Sequence, residues 1–121
     1  MTTANTSPSM PAQRHQSHPN EMDLRRIARA LEGRRRYRYV SPSVRPVAGG
    51  YHIEAPCCSR NIDPDGGVVD IALLQHLPAI KAWQLEARDH AAGAWRPQGT
   101  YRRLAEALDL LCADPERQFW R

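Results

Sequence analysis

Seven arginines, Arg25, Arg26, Arg29, Arg34, Arg35, Arg36 and Arg38, fall within residues 24–38, against a single acid, Glu32. That stretch carries a formal charge of +6, whereas the whole chain carries +4, so everything outside it is net acidic. Arginine offers a planar fork of donors that fits a carboxylate or a phosphate with two parallel hydrogen bonds. Tyr37 and Tyr39 alternate with guanidinium groups, a composition suited to backbone phosphates and stacked bases. The candidate binding set is therefore Arg25, Arg29, Arg34, Arg35, Arg36, Tyr37, Arg38 and Tyr39. Its plain alternative is a solvated helix face running into an edge strand guarded by charge.

A second set of reactive residue types is Cys57, Cys58, His52 and His90, a weaker candidate for a metal- or thiol-dependent centre. Adjacent cysteines lack the two-residue gap of zinc knuckles and redox pairs, and in extended chain their side chains point to opposite faces. Cys112 sits on an apolar stripe, where a small buried hydrophobe is the ordinary reading. Asn61, Asp63, Asp65 and Gly66 match the first half of a calcium-binding loop, but the twelfth position is Ala72 where a bidentate Glu is needed, so the segment reads as a turn. Asp63, Asp65 and Asp70 form an acidic group able to meet the arginines of a second copy, which raises a homodimer. Arg88, Asp89 and His90 have acid–base residue types, yet neighbours in sequence rarely converge on one substrate, and local Arg88–Asp89 pairing in a hairpin is the simpler expectation. No serine nucleophile elbow, phosphate-cradling glycine loop or paired metal-ligand helix accompanies them. The expectation is a protein that is not an enzyme and takes no cofactor.

These side chains must be held by elements that the hydrophobic pattern outlines. Residues 1–19 contain hardly a large aliphatic side chain and read as a disordered arm. Asn20 followed by Asp23 opens a helix, Leu24, Ile27, Ala28 and Leu31 give its apolar stripe, and Gly33 is the expected C-terminal cap. Tyr37, Tyr39 and Ser41 alternate as an edge strand that Pro42 and Pro46 break. Gly49-Gly50 is a turn, after which Tyr51, Ile53 and Ala55 alternate with His52 and Glu54. Residues 68–74 read as a strand or the start of a short helix. Trp83, Leu85 and Ala87 begin a hairpin whose returning strand starts at Trp95 and stops at Pro97. Thr100 is the expected N-cap of a closing helix lined by Leu104, Ala107, Leu108, Leu111 and Cys112 and ended by Asp114-Pro115. Phe119 and Trp120 would each leave roughly 150–250 Å² in water at a free chain end, so they should clasp back on the core. The order predicts an α+β fold, an antiparallel sheet of about 4–6 short strands with an N-terminal and a C-terminal helix, as one domain over residues 20–121.

The 121 residues, 41% apolar and 25% charged, suffice for one modest core. No run of about 18 apolar residues is present and the N-terminus lacks a signal-like pattern, so a cytoplasmic protein with no membrane span is expected. Three cysteines are too few and odd in number for a disulfide framework.

Trp83-Gln84-Leu85, Arg88-Asp89, Trp95, the leucine-lined helix and Asp114 followed by Phe119 resemble a family of small bacterial proteins described only as a domain of unknown function. The resemblance spans residues 83–119, with a departure at Glu86, where an aromatic residue is usual. It implies no activity, ligand or catalytic residue. The residues themselves point to a non-catalytic binding or regulatory module using the basic stretch 25–38, with an unidentified protein partner ahead of nucleic acid.

Overall fold

The computed structural model describes residues 18–35, 41–56 and 67–120. Within them the chain runs α1 (Glu21–Leu31), β1 (Ser43–Val47), β2 (Gly50–Pro56), β3 (Val68–Leu77), β4 (Ala82–Asp89), β5 (Ala94–Tyr101) and α2 (Leu104–Ala113). The five strands form one antiparallel meander in the order β1-β2-β3-β4-β5, which meets the α+β expectation.

Helix α1 starts where the sequence places it. The Asn20 side-chain oxygen accepts from the Asp23 N–H at 2.8 Å, and its amide donates to the Asp23 carboxylate at 3.2 Å. Glu21 and Asp23 in the first turn and Arg29 in the last complement the helix dipole. The C-terminus differs from expectation. Gly33 is not a left-handed cap; the helix tightens instead, with Gly33 N–H donating to Ala30 at 3.0 Å and Arg34 N–H to Leu31 at 3.3 Å. The Arg34 guanidinium then folds back and donates to the Leu31 carbonyl at 2.8 Å, so a side chain satisfies a carbonyl of the last turn.

The 37–41 strand lies largely outside the described residues; the edge strand that is seen, β1, begins later and contains Pro46. Pro97 likewise lies inside β5 instead of ending it. Both prolines are tolerated because β1 and β5 are the two edges of the sheet, where a missing N–H need not break a ladder, and they blunt those edges against further pairing. Thr100 is consequently a β5 residue opposite Gln84, and the N-cap of α2 is Arg103, whose N–H donates to Glu106 at 3.2 Å. Residues 68–77 are strand throughout. The β1–β2 hairpin needs both glycines: Gly49 has φ +74°, and a Cβ on Gly50 would stand 2.0 Å from the Leu74 carbonyl oxygen.

Both helices cover one face of the sheet. Ile27, Leu31, Leu104, Leu108 and Leu111 share one buried cluster with Tyr51, Ile53, Leu74 and Leu85. The aromatic tail closes it as expected, with Phe119 2% and Trp120 1% exposed. Asp114, in the left-handed conformation at φ 40°, accepts from the N–H groups of Gln118, Phe119 and Trp120 at 2.7, 3.3 and 2.8 Å, and the Trp120 indole donates to Leu111 at 2.9 Å. His18 and Pro19 belong to the fold and not to an arm. The Tyr51 hydroxyl lies 2.9 Å from both the His18 Nδ1 and the Asn20 nitrogen, and the His18 ring centre is 4.3 Å from that of His76, tilted to it, and 4.7 Å from that of Trp83, edge to face. The expected disorder of residues 1–17 lies outside the described residues.

Candidate functional site

The face of the sheet away from the helices carries a polar chain across all five strands. Antiparallel register sets Arg45 of β1 opposite His52 of β2, Glu54 of β2 opposite Asp70 of β3, and Arg88 of β4 opposite Trp95 of β5. Two bulges produce that arrangement. Between Ile53 and Glu54 the β2–β3 register shifts, so Ile71 and Ala72 are both buried and Asp70 turns to the open face. Between Leu85 and Glu86 the β4–β5 register shifts by one, which sets Trp95 opposite Arg88. Without the second bulge, period-two alternation would aim Trp95 at the helices.

His52 is the hub. Its Nε2 lies 2.7 Å from Asp70 Oδ1, and its Nδ1 lies 2.6 Å from the Arg45 guanidinium and 3.4 Å from Glu54. A guanidinium only donates, so in the neutral ring Nδ1 accepts from Arg45 and Nε2–H donates to Asp70. Arg45 also donates to Glu54 at 3.1 Å. The second Asp70 oxygen lies 3.3 Å from Arg88 Nε, and the Arg88 guanidinium sits 5.2 Å from the Trp95 ring centre. The edge of that indole system meets His52 at 5.6 Å. Beside these groups is an open groove of about 420 Å³, lined by Asp70, Arg88 and Gln75 and walled by Val47, Leu73 and Trp95. Glu86 lies on the same face opposite Pro97, and partial burial pushes its carboxyl above the usual range.

His52, Glu54 and Asp70 offer ligand atoms within 4.8 Å of one another. Each is already bonded to or faced by a guanidinium: Arg45 holds His52 and Glu54, and Arg88 faces Asp70. A cation entering there must displace fixed positive charge, so the group is better read as an ion-pair network than as a metal centre. As a base, His52 has no nitrogen lone pair left over, since Arg45 occupies it.

The basic stretch is divided by the fold. Arg25, Arg29 and Arg35 are exposed, with Arg25 3.4 Å from Glu21. Arg26, also exposed, pairs with Asp23 at 3.1 Å. Arg34 is corrected: it is 7% exposed, its guanidinium 5.5 Å from the Trp120 ring centre, so it is a packing residue. Arg36, Tyr37, Arg38 and Tyr39 lie outside the described residues, as do Cys57, Cys58, Asn61, Asp63 and Asp65. Of the metal alternative, His52 joins Glu54 and Asp70 in the sheet, and His90, in the β4–β5 turn, is not part of that group. Asp70 is no free acidic patch for a second copy, because His52 and Arg88 hold it. Arg88 pairs with Asp70 and not with Asp89, which binds Arg96 at 3.2 Å and accepts from Ala92 N–H at 3.0 Å. Those contacts, the Ala92 N–H first, hold the Asp89 carboxyl below the usual range.

Arg45, Asp70, Arg88 and Trp95 as one group escaped the sequence reading. The only available signal was alternation, which both bulges overturn. Comparison with known families matches residues 15–121 to a model described as a domain of unknown function, DUF3024. The chain belongs to that family. The DUF3024 match takes in every described element and begins before His18, in keeping with that residue's place against the sheet. No curated protein and no solved structure matches this DUF3024 chain. Among its described residues, no helix is long and apolar enough to cross a membrane.

Proposed function

We propose that this protein is a non-catalytic binding module of a cytoplasmic setting that docks an acidic protein partner through Arg25, Arg29 and Arg35. The observation that carries the reading is the division of α1: Ile27 and Leu31 are 0% and 2% exposed, while Arg25 and Arg29, one turn apart, face outward and Arg35 follows them. Their local partners do not spend that charge. An exposed i,i+4 pair such as Arg25–Glu21 contributes only about 0.3–0.5 kcal/mol and yields readily to a better-placed carboxylate. A histidine engaged at both nitrogens, and neighbouring Arg88 and Asp89 that pair with Asp70 and Arg96 and not with each other, support recognition over catalysis.

Nucleic acid is the second reading of the same surface, because its cations are all arginines and their forks suit phosphate equally well. Affinity capture from the native cell, repeated with Arg25, Arg29 and Arg35 changed to Ala, tests the proposal. A specific protein partner lost in the triple variant is the expected result; undiminished capture overturns it. If the surface instead neutralises three phosphates, log affinity for single-stranded RNA or DNA falls against log salt with a slope of about −2 to −3.

A further inference from the structure

The open groove lies on the sheet face opposite α1 and makes a demand that a basic docking flank does not. At its base a carboxylate and a guanidinium stand side by side, Asp70 Oδ2 and Arg88 Nε being 3.3 Å apart. Neither is loosely placed. Asp70 is anchored through His52 to Arg45, and Arg88 rests on the Trp95 ring. Around them, among the described residues, the face bears three carboxylates, Glu54, Asp70 and Glu86, against two guanidinium groups, Arg45 and Arg88. A phosphate or polyanion meets no net positive field there, and a simple cation meets Arg45 and Arg88. A ligand carrying both charges a few ångströms apart meets its complement. Beyond the charged pair the walls are the half-buried Val47, Leu73 and Trp95, and the other polar side chains lining the groove are Gln75 and His52, whose two ring nitrogens are already engaged by Arg45 and Asp70.

We propose that this groove binds a free α-amino acid with an apolar side chain. Its carboxylate is taken by the terminal nitrogens of Arg88, its ammonium by Asp70, and its side chain lies among Val47, Leu73 and Trp95. The four charges then alternate in sign without parting Asp70 from Arg88, so the resident ion pair is extended and not broken. A volume of about 420 Å³ lies within the range of small-molecule sites and accommodates a leucine- or phenylalanine-sized ligand. The inference stands apart from the partner-docking reading, since the two surfaces are on opposite sides of the sheet.

Calorimetric titration of the full chain with leucine and phenylalanine, beside N-acetyl-leucine and leucine methyl ester, tests it. Expected are saturable binding of the free amino acid with Kd of about 1 mM or tighter, and at least about tenfold weaker binding of both derivatives, each of which has lost one charge. Arg88→Gln should weaken binding by at least about tenfold, while Arg25→Ala/Arg29→Ala leaves it unchanged. Should Arg88→Gln fail to fold, the indole N–H resonance of Trp95, assigned through Trp95→Phe, must shift on adding leucine to the unaltered protein. The proposal is overturned if neither free amino acid saturates, if either derivative binds as well as leucine, if a folded Arg88→Gln binds unchanged, or if the Trp95 resonance stays still.

Discussion

Truncating Asp114 to Ala should remove a large share of this protein's stability, although the residue touches no candidate site. Its carboxylate, 1% exposed, receives three successive backbone N–H groups of the tail. Those of Phe119 and Trp120 are buried and cannot turn to water, and each orphaned buried donor costs about 1–3 kcal/mol. Asp114→Ala also places a residue without a local hydrogen-bonding side chain at φ 40°, which adds about 1 kcal/mol. The expected loss is about 3–7 kcal/mol, against a total stability of about 5–15 kcal/mol for a domain of this size. Asp114→Asn keeps one acceptor oxygen and tolerates the left-handed backbone, so about 1–2 kcal/mol is expected. Urea unfolding followed by tryptophan fluorescence reads both, because Trp120 leaves the core when the tail detaches. The reasoning fails if Asp114→Ala costs under about 1 kcal/mol, or if Asn costs as much as Ala.

Gly50→Ala should cost at least about 3 kcal/mol by driving a Cβ into the Leu74 carbonyl, whereas Gly49→Ala, with open space and only a positive φ to bear, should cost about 1 kcal/mol; thermal unfolding compares them. Arg34→Ala should lower stability by about 2–3 kcal/mol through lost packing on Trp120 and the freed Leu31 carbonyl, while Arg29→Ala stays within about 0.5 kcal/mol, and equal effects would refute the division of the arginines. Burial, and then the neighbouring His76, hold His18 below its ordinary value of 6.5, against the opposing pull of Asp23. The unfolded chain therefore binds the proton more readily, so His18's contribution is complete above pH 6.5 and is lost as pH falls below it. Denaturant midpoints measured from pH 7.5 to 5 should fall, and His18→Gln should flatten that fall.

Much of the architecture is written locally. The Asn20 and Asp23 side chains, the stripe through Ile27 and Leu31, the alternation of Tyr51, Ile53 and Ala55 and of Trp83, Leu85 and Ala87, and the apolar helix before Asp114 each act over a few residues, so sequence suffices to read them. Prolines mislead at Pro46 and Pro97, because a proline's cost depends on whether its strand is an edge, which is a property of the whole sheet. The same holds for Arg34, whose charge marks it for solvent until Trp120 arrives from the far end of the chain and covers it.

The sequence by itself determined the two helices, the alternation of β2 and β4 and the buried aromatic tail, since periodicity and capping are short-range, whereas the extent of β1 and β5 and the strand form of residues 68–77 depended on their neighbours in the sheet. Which side chains meet on the open face was decided only in three dimensions. One extra residue in β3, and another in β5, reverses the parity of everything beyond it. Ile71-Ala72 and Gln98 bear no local mark of that shift, and it is the shift that brings Asp70 and Trp95 to His52 and Arg88.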